Sequence, residues 1–414
     1  MTDASYKWRL LAFLFVTFFL ELGARQVFNA TLPQIKVEFA RFAVTDAQLG
    51  LVGSVFGAVF GLSLVGSGLA ADFFGRKRVL VLGTLLFSFG VFCCGFAHTL
   101  AALVVCYGVL NAVGQCCVAP PCYSLISQYH DNRTRSTAMG IFQSALYLGI
   151  VLSSVLSGFL ADVGEGGWRR AFWILGGIGA LWAFVLQLGL RDTPQPPSPA
   201  NDSNPSVKDA FMALLGKPTA VLIALAFGMY MYANLGIRLW STAFLSREFC
   251  GEGGLASAAL HSVLWLNLGS FVGMFATARF MDRCGRCHPR IRLDVSVVGF
   301  LLCIAPVIWV SRTGSLAECC VALATLGFTL GVYEAAHYPA MFDCIAPRYR
   351  SVTTGLTGCW AFLFGSLAPT VIGWMGDRLS LRAGFASLSL FYLVGALLLL
   401  PAVFRFFKKD YIGE

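Results

Sequence analysis

A glutamate, an arginine and an asparagine follow one another at four-residue intervals in the first apolar stretch of the chain, as Glu21, Arg25 and Asn29. A guanidinium group can hold a carboxylate or a phosphate through two parallel hydrogen bonds. A charge among apolar residues is costly and normally faces a water-filled path. Arg25 is therefore predicted to bind an anion, with Asn29 beside it. The alternative is that Arg25 only pairs with Glu21 on the same helix face.

A second group of polar residues lies in the later half of the chain. Asn234 and Arg238 are one helical turn apart in one apolar block, and Glu334 and His337 are three residues apart in another. A buried carboxylate or a histidine can exchange protons near neutral pH, and groups three residues apart share a helix face. Glu334 and His337 are thus candidates for proton exchange, with Glu21 as a third. The alternative is a hydrogen-bonded pair that only packs its helix.

Amide and aromatic side chains in the apolar blocks are further binding candidates. Aromatic rings with polar edges stack on sugar rings, although in any helix they more often serve packing or anchor the helix at an interface. The candidates of this kind are Gln115, Tyr230, Trp265, Asn267 and Trp360.

The blocks that carry these residues are long enough to cross a membrane. Of the 414 residues, 57% are hydrophobic and 12% are charged, whereas an ordinary soluble domain has roughly 25% charged residues. About 20 apolar residues span a bilayer as a helix. We therefore predict an all-α integral membrane protein with twelve helices near 8–31, 48–71, 79–97, 100–126, 136–160, 171–190, 219–245, 257–280, 293–311, 315–342, 352–375 and 384–406.

The 30 lysines and arginines concentrate in alternate loops, those that are internal if the N-terminus is cytoplasmic. This bias follows the positive-inside rule and predicts cytoplasmic termini, an uncleaved first helix and a location in a plasma membrane, such as a bacterial inner membrane. The net charge of +9 then reflects topology and does not indicate a nucleic-acid partner.

Three residues of one internal loop, Cys284, Cys287 and His288, spell a haem-attachment pattern. That loop is predicted to be cytoplasmic, nothing nearby suggests a haem pocket, and zinc prefers four ligands. We expect no cofactor and no metal.

The two halves of the chain repeat one another around a polar, proline-rich segment at 191–217. Asp72 and Gly75 return as Asp282 and Gly285, 210 residues later, and the stretch from Arg135 to Gly140 returns as Arg350 to Gly355. A near-constant interval is typical of parallel repeats. The predicted organisation is a six-helix bundle at 1–190, a cytoplasmic linker at 191–217 and a second six-helix bundle at 218–414.

The segment Gly68-Leu-Ala-Ala-Asp72-Phe-Phe-Gly75-Arg76-Lys77 resembles the signature loop between helices 2 and 3 of the major facilitator superfamily, and Asp282 to Arg286 resembles its second copy. The resemblance covers essentially the whole chain and implies a substrate site near the membrane midplane between two halves. It also implies a conformational latch at Asp72, Gly75, Arg76, Lys77, Asp282 and Arg286, in which the carboxylate and the arginines form ion pairs with neighbouring helix ends.

Within this superfamily, Arg25 followed by Pro33 resembles helix 1 of the organophosphate:phosphate antiporters and the anion:cation symporters. In those relatives the arginine contacts a phosphate or carboxylate. The antiporters carry a second arginine at the position of Asn234, so Arg238 is displaced by one turn. Many symporters and the spinster-like lipid transporters have an acidic residue at Gln115, which leaves Glu334 and His337 as the coupling candidates.

The sequence therefore predicts a secondary active transporter that takes up a small organic anion, such as a sugar acid, another carboxylate or a sugar phosphate, by alternating access. We expect coupling to protons or sodium, contact with membrane lipid and a monomeric state. The alternatives are a spinster-like lysophospholipid transporter and a sensor built on the same scaffold. An enzyme is the least expected, because the sequence shows no nucleophile triad or phosphate-binding loop.

Overall fold

The protein is helical throughout the part of the chain that its computed structural model describes, which comprises residues 3–130, 134–164, 166–191, 207–251, 254–284, 288 and 290–412. No strand occurs in these ranges, and twelve of the helices within them are long and apolar enough to cross a membrane. The predicted fold class, an all-α membrane protein with twelve spans, is confirmed.

The membrane helices are labelled in chain order. They are α1 Tyr6–Phe42, α2 Asp46–Phe74, α3 Arg76–Cys94, α4 Leu100–Tyr129, α5 Arg135–Asp162, α6 Gly167–Gly189, α7 Pro218–Cys250, α8 Leu255–Cys284, α9 Ile291–Arg312, α10 Leu316–Phe342, α11 Val352–Arg378 and α12 Leu381–Asp410. A shorter helix, Val207–Leu215, precedes α7.

The first helix is longer than its predicted span of 8–31, because it continues through Pro33 to Phe42. Proline removes one backbone hydrogen bond and usually ends or kinks a helix. The prediction from the sequence therefore places the end of this helix too early. The longer helix carries Lys36 and Glu38 on its last turns.

Four helices begin with a hydroxyl side chain that caps the backbone. Thr45, Thr99, Ser315 and Ser380 precede α2, α4, α10 and α12, and each oxygen accepts a hydrogen bond from the backbone N–H three residues later, at 3.1 to 3.2 Å. Such caps satisfy N–H groups that have no partner within the helix. All four lie at the side predicted to be external.

Backbone contacts divide the chain into two compact units. The first comprises Met1–Ser198 and Leu245–Val263, and the second comprises Pro199–Phe244 and Leu264–Glu414. Within the first unit α1 packs on α5 and α3 packs on α6, and within the second α9 packs on α10 and on α12. The first unit thus takes in the end of α7 and the start of α8, whereas the predicted boundaries at 190 and 218 followed the linker alone.

The internal repeat is visible in matching arginine contacts. Arg135 donates to the carbonyls five and eight residues earlier, at 3.3 and 3.2 Å, and Arg350 makes the same two bonds at 3.2 and 3.1 Å. Arg169 donates to two carbonyls just after α3, at 3.0 and 2.7 Å, and Arg382 donates to two carbonyls at the end of α9, at 3.3 and 2.8 Å. Each unit therefore repeats the same junctions.

Helices α8 and α10 approach each other closely through glycines. A Cβ added at Gly331 of α10 would lie 2.7 Å from the Met274 nitrogen of α8, and one at Gly327 would lie 3.0 Å from the Ser270 nitrogen. Small residues let membrane helices bring their backbones together. The close approach places the Ser270 side chain within reach of α10.

Candidate functional site

Arg25 is held by two polar side chains and two aromatic rings in the first unit. Its Nε donates to Gln115 Oε1 of α4 and its Nη2 to Glu21 Oε1 of α1, both at 2.9 Å. The guanidinium lies over the rings of Phe60 and Phe56 of α2, at 4.7 and 5.5 Å from their centroids. The Arg25 side chain is 28% exposed, and its Nη1 makes no hydrogen bond within the described residues. One donor of the fork is therefore free to bind a ligand.

A π-helix in α4, Val104–Asn111, shapes the surroundings of Arg25. Single π-helical turns inside α-helices are rare and often lie at functional sites. Tyr107 in this segment donates to the Arg25 carbonyl at 2.7 Å, and Gln115 Nε2 donates to Asn111 Oδ1 at 2.8 Å. The segment thus fixes both the backbone and the side chain of Arg25.

Glu21 compensates part of the charge of Arg25. Its side chain is 3% exposed, and its second oxygen, Oε2, has no hydrogen-bond partner within the described residues. The ion pair between Arg25 and Glu21 is therefore present, and Nη1 of Arg25 still has no hydrogen-bond partner within the described residues. Asn29 instead bonds to Gln26 on its own helix, at 3.2 Å.

Arg238 lies at one end of a chain of hydrogen bonds in the second unit. Its Nε donates to Asn234 Oδ1 at 2.7 Å, and Asn234 Nδ2 donates to the Tyr230 hydroxyl at 2.9 Å. Tyr230 donates to Glu334 Oε1 of α10 at 2.5 Å. Arg238 Nη1 also contacts Asn267 Oδ1 at 3.4 Å. The structure therefore brings together five of the predicted binding and coupling residues.

Glu334 accepts a second hydrogen bond, from the Ser270 hydroxyl to its Oε2 at 2.7 Å. No cation pairs with it directly within the described residues. The carboxylate is thus held by hydroxyl groups from α7 and α8.

The His337 ring does not hydrogen-bond to the carboxylate of Glu334. Its ring is 6% exposed, and neither ring nitrogen has a hydrogen-bond partner within the described residues. The ring stacks on Phe227 and Tyr333, with centroids 4.6 and 5.2 Å apart. Its ring contacts are therefore those of an aromatic core residue, and its predicted coupling role has no contact with the Glu334 carboxylate to support it.

The two tryptophan candidates lie outside the chain from Arg238 to Glu334. Trp265 is half-buried on α8, and Trp360 is 37% exposed and stacks on Phe364. Both remain predicted binding residues.

The predicted latch is described in part. Gly75 separates α2 from α3 with a φ of 88°, a conformation that favours glycine. Arg76 donates to Gln128 at the end of α4, at 2.7 Å. Lys77 is half-buried and Asp282 is exposed, while the side chain of Asp72 and all of Arg286 lie outside the described residues.

The second half contains a charged contact that corresponds to the bond between Arg76 and Gln128 in the first half. This contact was missed in the sequence analysis. Arg292, at the start of α9, pairs with Asp343 after α10 at 2.5 Å. Arg292 and Asp343 follow Arg76 and Gln128 by 216 and 215 residues. Extending the repeat beyond the signature loop would have found this pair.

A buried carboxylate at the start of α2 was also missed. Asp46 is 2% exposed and accepts both ends of the Arg247 fork, at 2.6 and 2.8 Å, while Lys36 contacts its Oδ1 at 2.5 Å. These residues all belong to the first unit. Acidic residues are common in the first turn of a helix, so the position of Asp46 directly after the capping Thr45 does not by itself indicate a buried ion pair.

Comparison with known proteins assigns the chain to a family. The model of the Major Facilitator Superfamily matches residues 14–369. The cis,cis-muconate transport protein of Acinetobacter baylyi is 23% identical over 97% of this chain and 95% of its own length, and the membrane sensor protein UhpC of Escherichia coli is 23% identical over 96% and 93%.

The fold is shared with a solved structure. A bacterial homologue of the human lysosomal transporter spinster, in an inward-facing and unoccupied conformation, superposes with a TM-score of 0.85 at 21% identity, over 99% of both chains. The match over most of the chain, the twelve spans and this fold agree, and the chain is a multi-pass membrane protein and not an enzyme. It belongs to the Major Facilitator Superfamily.

Proposed function

We propose that this protein is a secondary active transporter that takes up a small organic anion by alternating access. The observation that carries the proposal is the arrangement at Arg25, a membrane-embedded guanidinium that is positioned through Nε and Nη2 and keeps Nη1 unbonded within the described residues. A charge at this depth is costly, and charged residues inside membrane helices usually have a function. The muconate transport protein, a relative over nearly the whole chain, supports a carboxylated substrate.

Glu21 sets how strongly Arg25 attracts an anion. The carboxylate contacts one terminal nitrogen and shares its charge, so an anion at Nη1 would compete with Glu21 for the guanidinium. The rings of Phe56 and Phe60 beside the fork limit its hydration and strengthen a charged hydrogen bond. We propose that Arg25 binds the anionic group of the substrate and Glu21 tunes its affinity.

Arg238 gives the second half its own anion-binding candidate. Its partners Asn234 and Asn267 are neutral, and its Nη2 makes no hydrogen bond within the described residues. Glu334 is the proposed coupling residue, for protons or sodium. The distribution of basic residues supports a cell inner membrane location with both termini in the cytoplasm.

Uptake of cis,cis-muconate into proteoliposomes tests the role of Arg25. Losing a charged hydrogen bond costs roughly 1.5–3 kcal/mol, so Arg25→Gln is expected to raise KM by about tenfold or more. Glu21→Gln is expected to lower KM, because the competing charge is gone. Arg170→Gln is the matched control, since Arg170 is exposed and, within the described residues, donates only to the Val163 carbonyl. Unchanged uptake by Arg25→Gln would refute the anion role.

A second candidate is transport of a lysophospholipid, favoured by the fold shared with the spinster homologue and by the rings beside Arg25. Lysophosphatidylglycerol offers both a phosphate and an acyl chain, and it should then displace muconate and be transported itself. Binding of muconate without any uptake would instead favour a sensor, the function named for the relative UhpC.

A further inference from the structure

The hydrogen bonds from Arg238 to Glu334 have one fixed direction. The guanidinium Nε can only donate, so the atom of Asn234 that faces it must be the amide oxygen. The amide nitrogen of Asn234 then faces Tyr230 and donates to its hydroxyl oxygen. The single hydroxyl proton of Tyr230 is left to bind Glu334. A cation that only donates and a carboxylate that only accepts thus set the direction of every bond between them.

Helix geometry explains why these three residues line up. Tyr230, Asn234 and Arg238 are spaced by four residues on α7, so they form one stripe along a single helix face. Tyr230 and Asn234 are 3% and 7% exposed, which leaves little room for water to replace a broken link. A change at one end of the stripe therefore acts on the other end through the side chains themselves.

The matching chain in the first unit ends differently. Arg25 Nε donates to Gln115, and Gln115 donates to Asn111, but Asn111 Nδ2 has no hydrogen-bond partner within the described residues. No carboxylate terminates this chain there. The directed connection between an arginine and a carboxylate through neutral side chains is thus a property of the second unit.

We propose that Tyr230 and Asn234 form a relay that couples protonation of Glu334 to anion binding at Arg238. This inference rests on the proposed function and adds the coupling route and the coupling ion, a proton. The proton comes from water on one side of the membrane, forms an O–H bond on the Glu334 carboxylate and leaves to water on the other side. No other covalent bond changes.

Protonation alters the relay through bond strength and direction. A hydrogen bond to a carboxylate is roughly twice as strong as one to a neutral acid, so a protonated Glu334 holds Tyr230 less firmly. If the proton lies on Oε1, Glu334 donates and the Tyr230 proton must turn toward Asn234. The amide then flips and presents its nitrogen to Arg238, which frees the guanidinium for an anion.

The other titratable groups around Glu334 are tyrosine hydroxyls, one thiol and one imidazole. Titratable side chains near it are Tyr230 on α7, Cys303 on α9, Tyr392 on α12, and Tyr333 and His337 on α10. Ser270 on α8 donates to its Oε2. Arg238 is the charged group that the hydrogen-bond chain joins to the carboxylate.

Two transport assays with cis,cis-muconate in proteoliposomes separate coupling from binding. Counterflow exchange at equal pH reports anion binding and translocation, and accumulation under a proton gradient reports coupling. Tyr230→Phe is expected to keep counterflow within about twofold and to lower gradient-driven accumulation by about tenfold, a typical size of coupling between two sites. Asn234→Leu cuts the relay at its next link and should uncouple in the same way.

The control lies on the same helix. Tyr232→Phe removes the hydroxyl of a neighbouring tyrosine, whose ring stacks on Phe391. This variant should accumulate muconate as the wild type does. Full accumulation by Tyr230→Phe, or accumulation by the wild type that follows a sodium gradient alone, would overturn the relay. Absence of counterflow in the wild type would instead refute the proposed anion transport.

Discussion

At the residue scale, the sequence anticipates contacts within one helix better than contacts between helices. Glu21 and Arg25 form the pair that their four-residue spacing predicts. The bonds of Arg25 to Gln115 and Tyr107 depend on the register of α4, which its π-helix changes. A π-helical turn leaves no clear pattern in a uniformly apolar segment, so these partners could not be derived from the sequence.

The buried carboxylate of Asp46 provides a prediction about stability. In Asp46→Asn, Lys36 and Arg247 lose their shared counter-charge. Both cations are about a third exposed, at 31% and 33%, so they recover some hydration and the cost stays below that of a fully buried pair. We expect the free energy of unfolding to fall by about 1–3 kcal/mol.

Unfolding of the purified protein in mixed detergent would measure this change. Asp294→Asn is the matched control, because Asp294 pairs with Arg290 at an exposed position. An exposed pair contributes only about 0–1 kcal/mol. Equal losses in the two variants would show that the Asp46 cluster adds no stability of its own.

At the element scale, the helices themselves were predictable and their distances from one another were not. Apolar blocks gave the twelve spans, although the end of α1 lies beyond Pro33. The close approach of α8 and α10 depends on which glycines of the two helices face each other. That choice positions Ser270 against Glu334, and no regular spacing in the sequence reveals it.

Substituting one of these glycines tests the approach. In Gly331→Ala the new methyl group would lie 2.7 Å from the Met274 nitrogen, so the two helices must separate. Overpacking of this kind costs about 1–3 kcal/mol. We expect a lower midpoint of thermal unfolding and weaker proton-driven uptake, since the Ser270 contact with Glu334 lengthens.

Gly355→Ala serves as the control, because a Cβ at Gly355 meets no atom within 4 Å. This variant should keep or slightly raise the unfolding midpoint, since alanine favours a helix more than glycine does. If Gly331→Ala is as stable as the wild type, the glycines do not set the distance between α8 and α10.

At the scale of the whole molecule, the repeat was the most informative feature of the sequence. Two copies of a loop predicted two six-helix halves, and matching contacts of Arg135 with Arg350 and of Arg169 with Arg382 extend the repeat. The halves differ in their polar centres. Arg25 pairs with a carboxylate directly, whereas Arg238 reaches one through Asn234 and Tyr230.

This difference could be predicted only in part. The sequence places an arginine in both halves and a carboxylate in α10, and it shows that Gln115 replaces an acidic residue of related families. Which atoms join them depends on helix rotation, because a rotation of one residue would turn Tyr230 away from α10.

The measurement that tests the central claim most directly is ligand-induced stabilisation of the purified protein. Wild type and Arg25→Gln would be heated with muconate, sugar acids, sugar phosphates, monocarboxylates and lysophosphatidylglycerol. A ligand that binds only the folded state stabilises it by mass action, by about 2.7 kcal/mol at a concentration of 100 times Kd, and so raises the unfolding midpoint. We expect at least one small anion to stabilise the wild type and to have little effect on Arg25→Gln. Stabilisation of both proteins by the same anion, or of the wild type by the lysolipid alone, would contradict a small organic anion bound at Arg25.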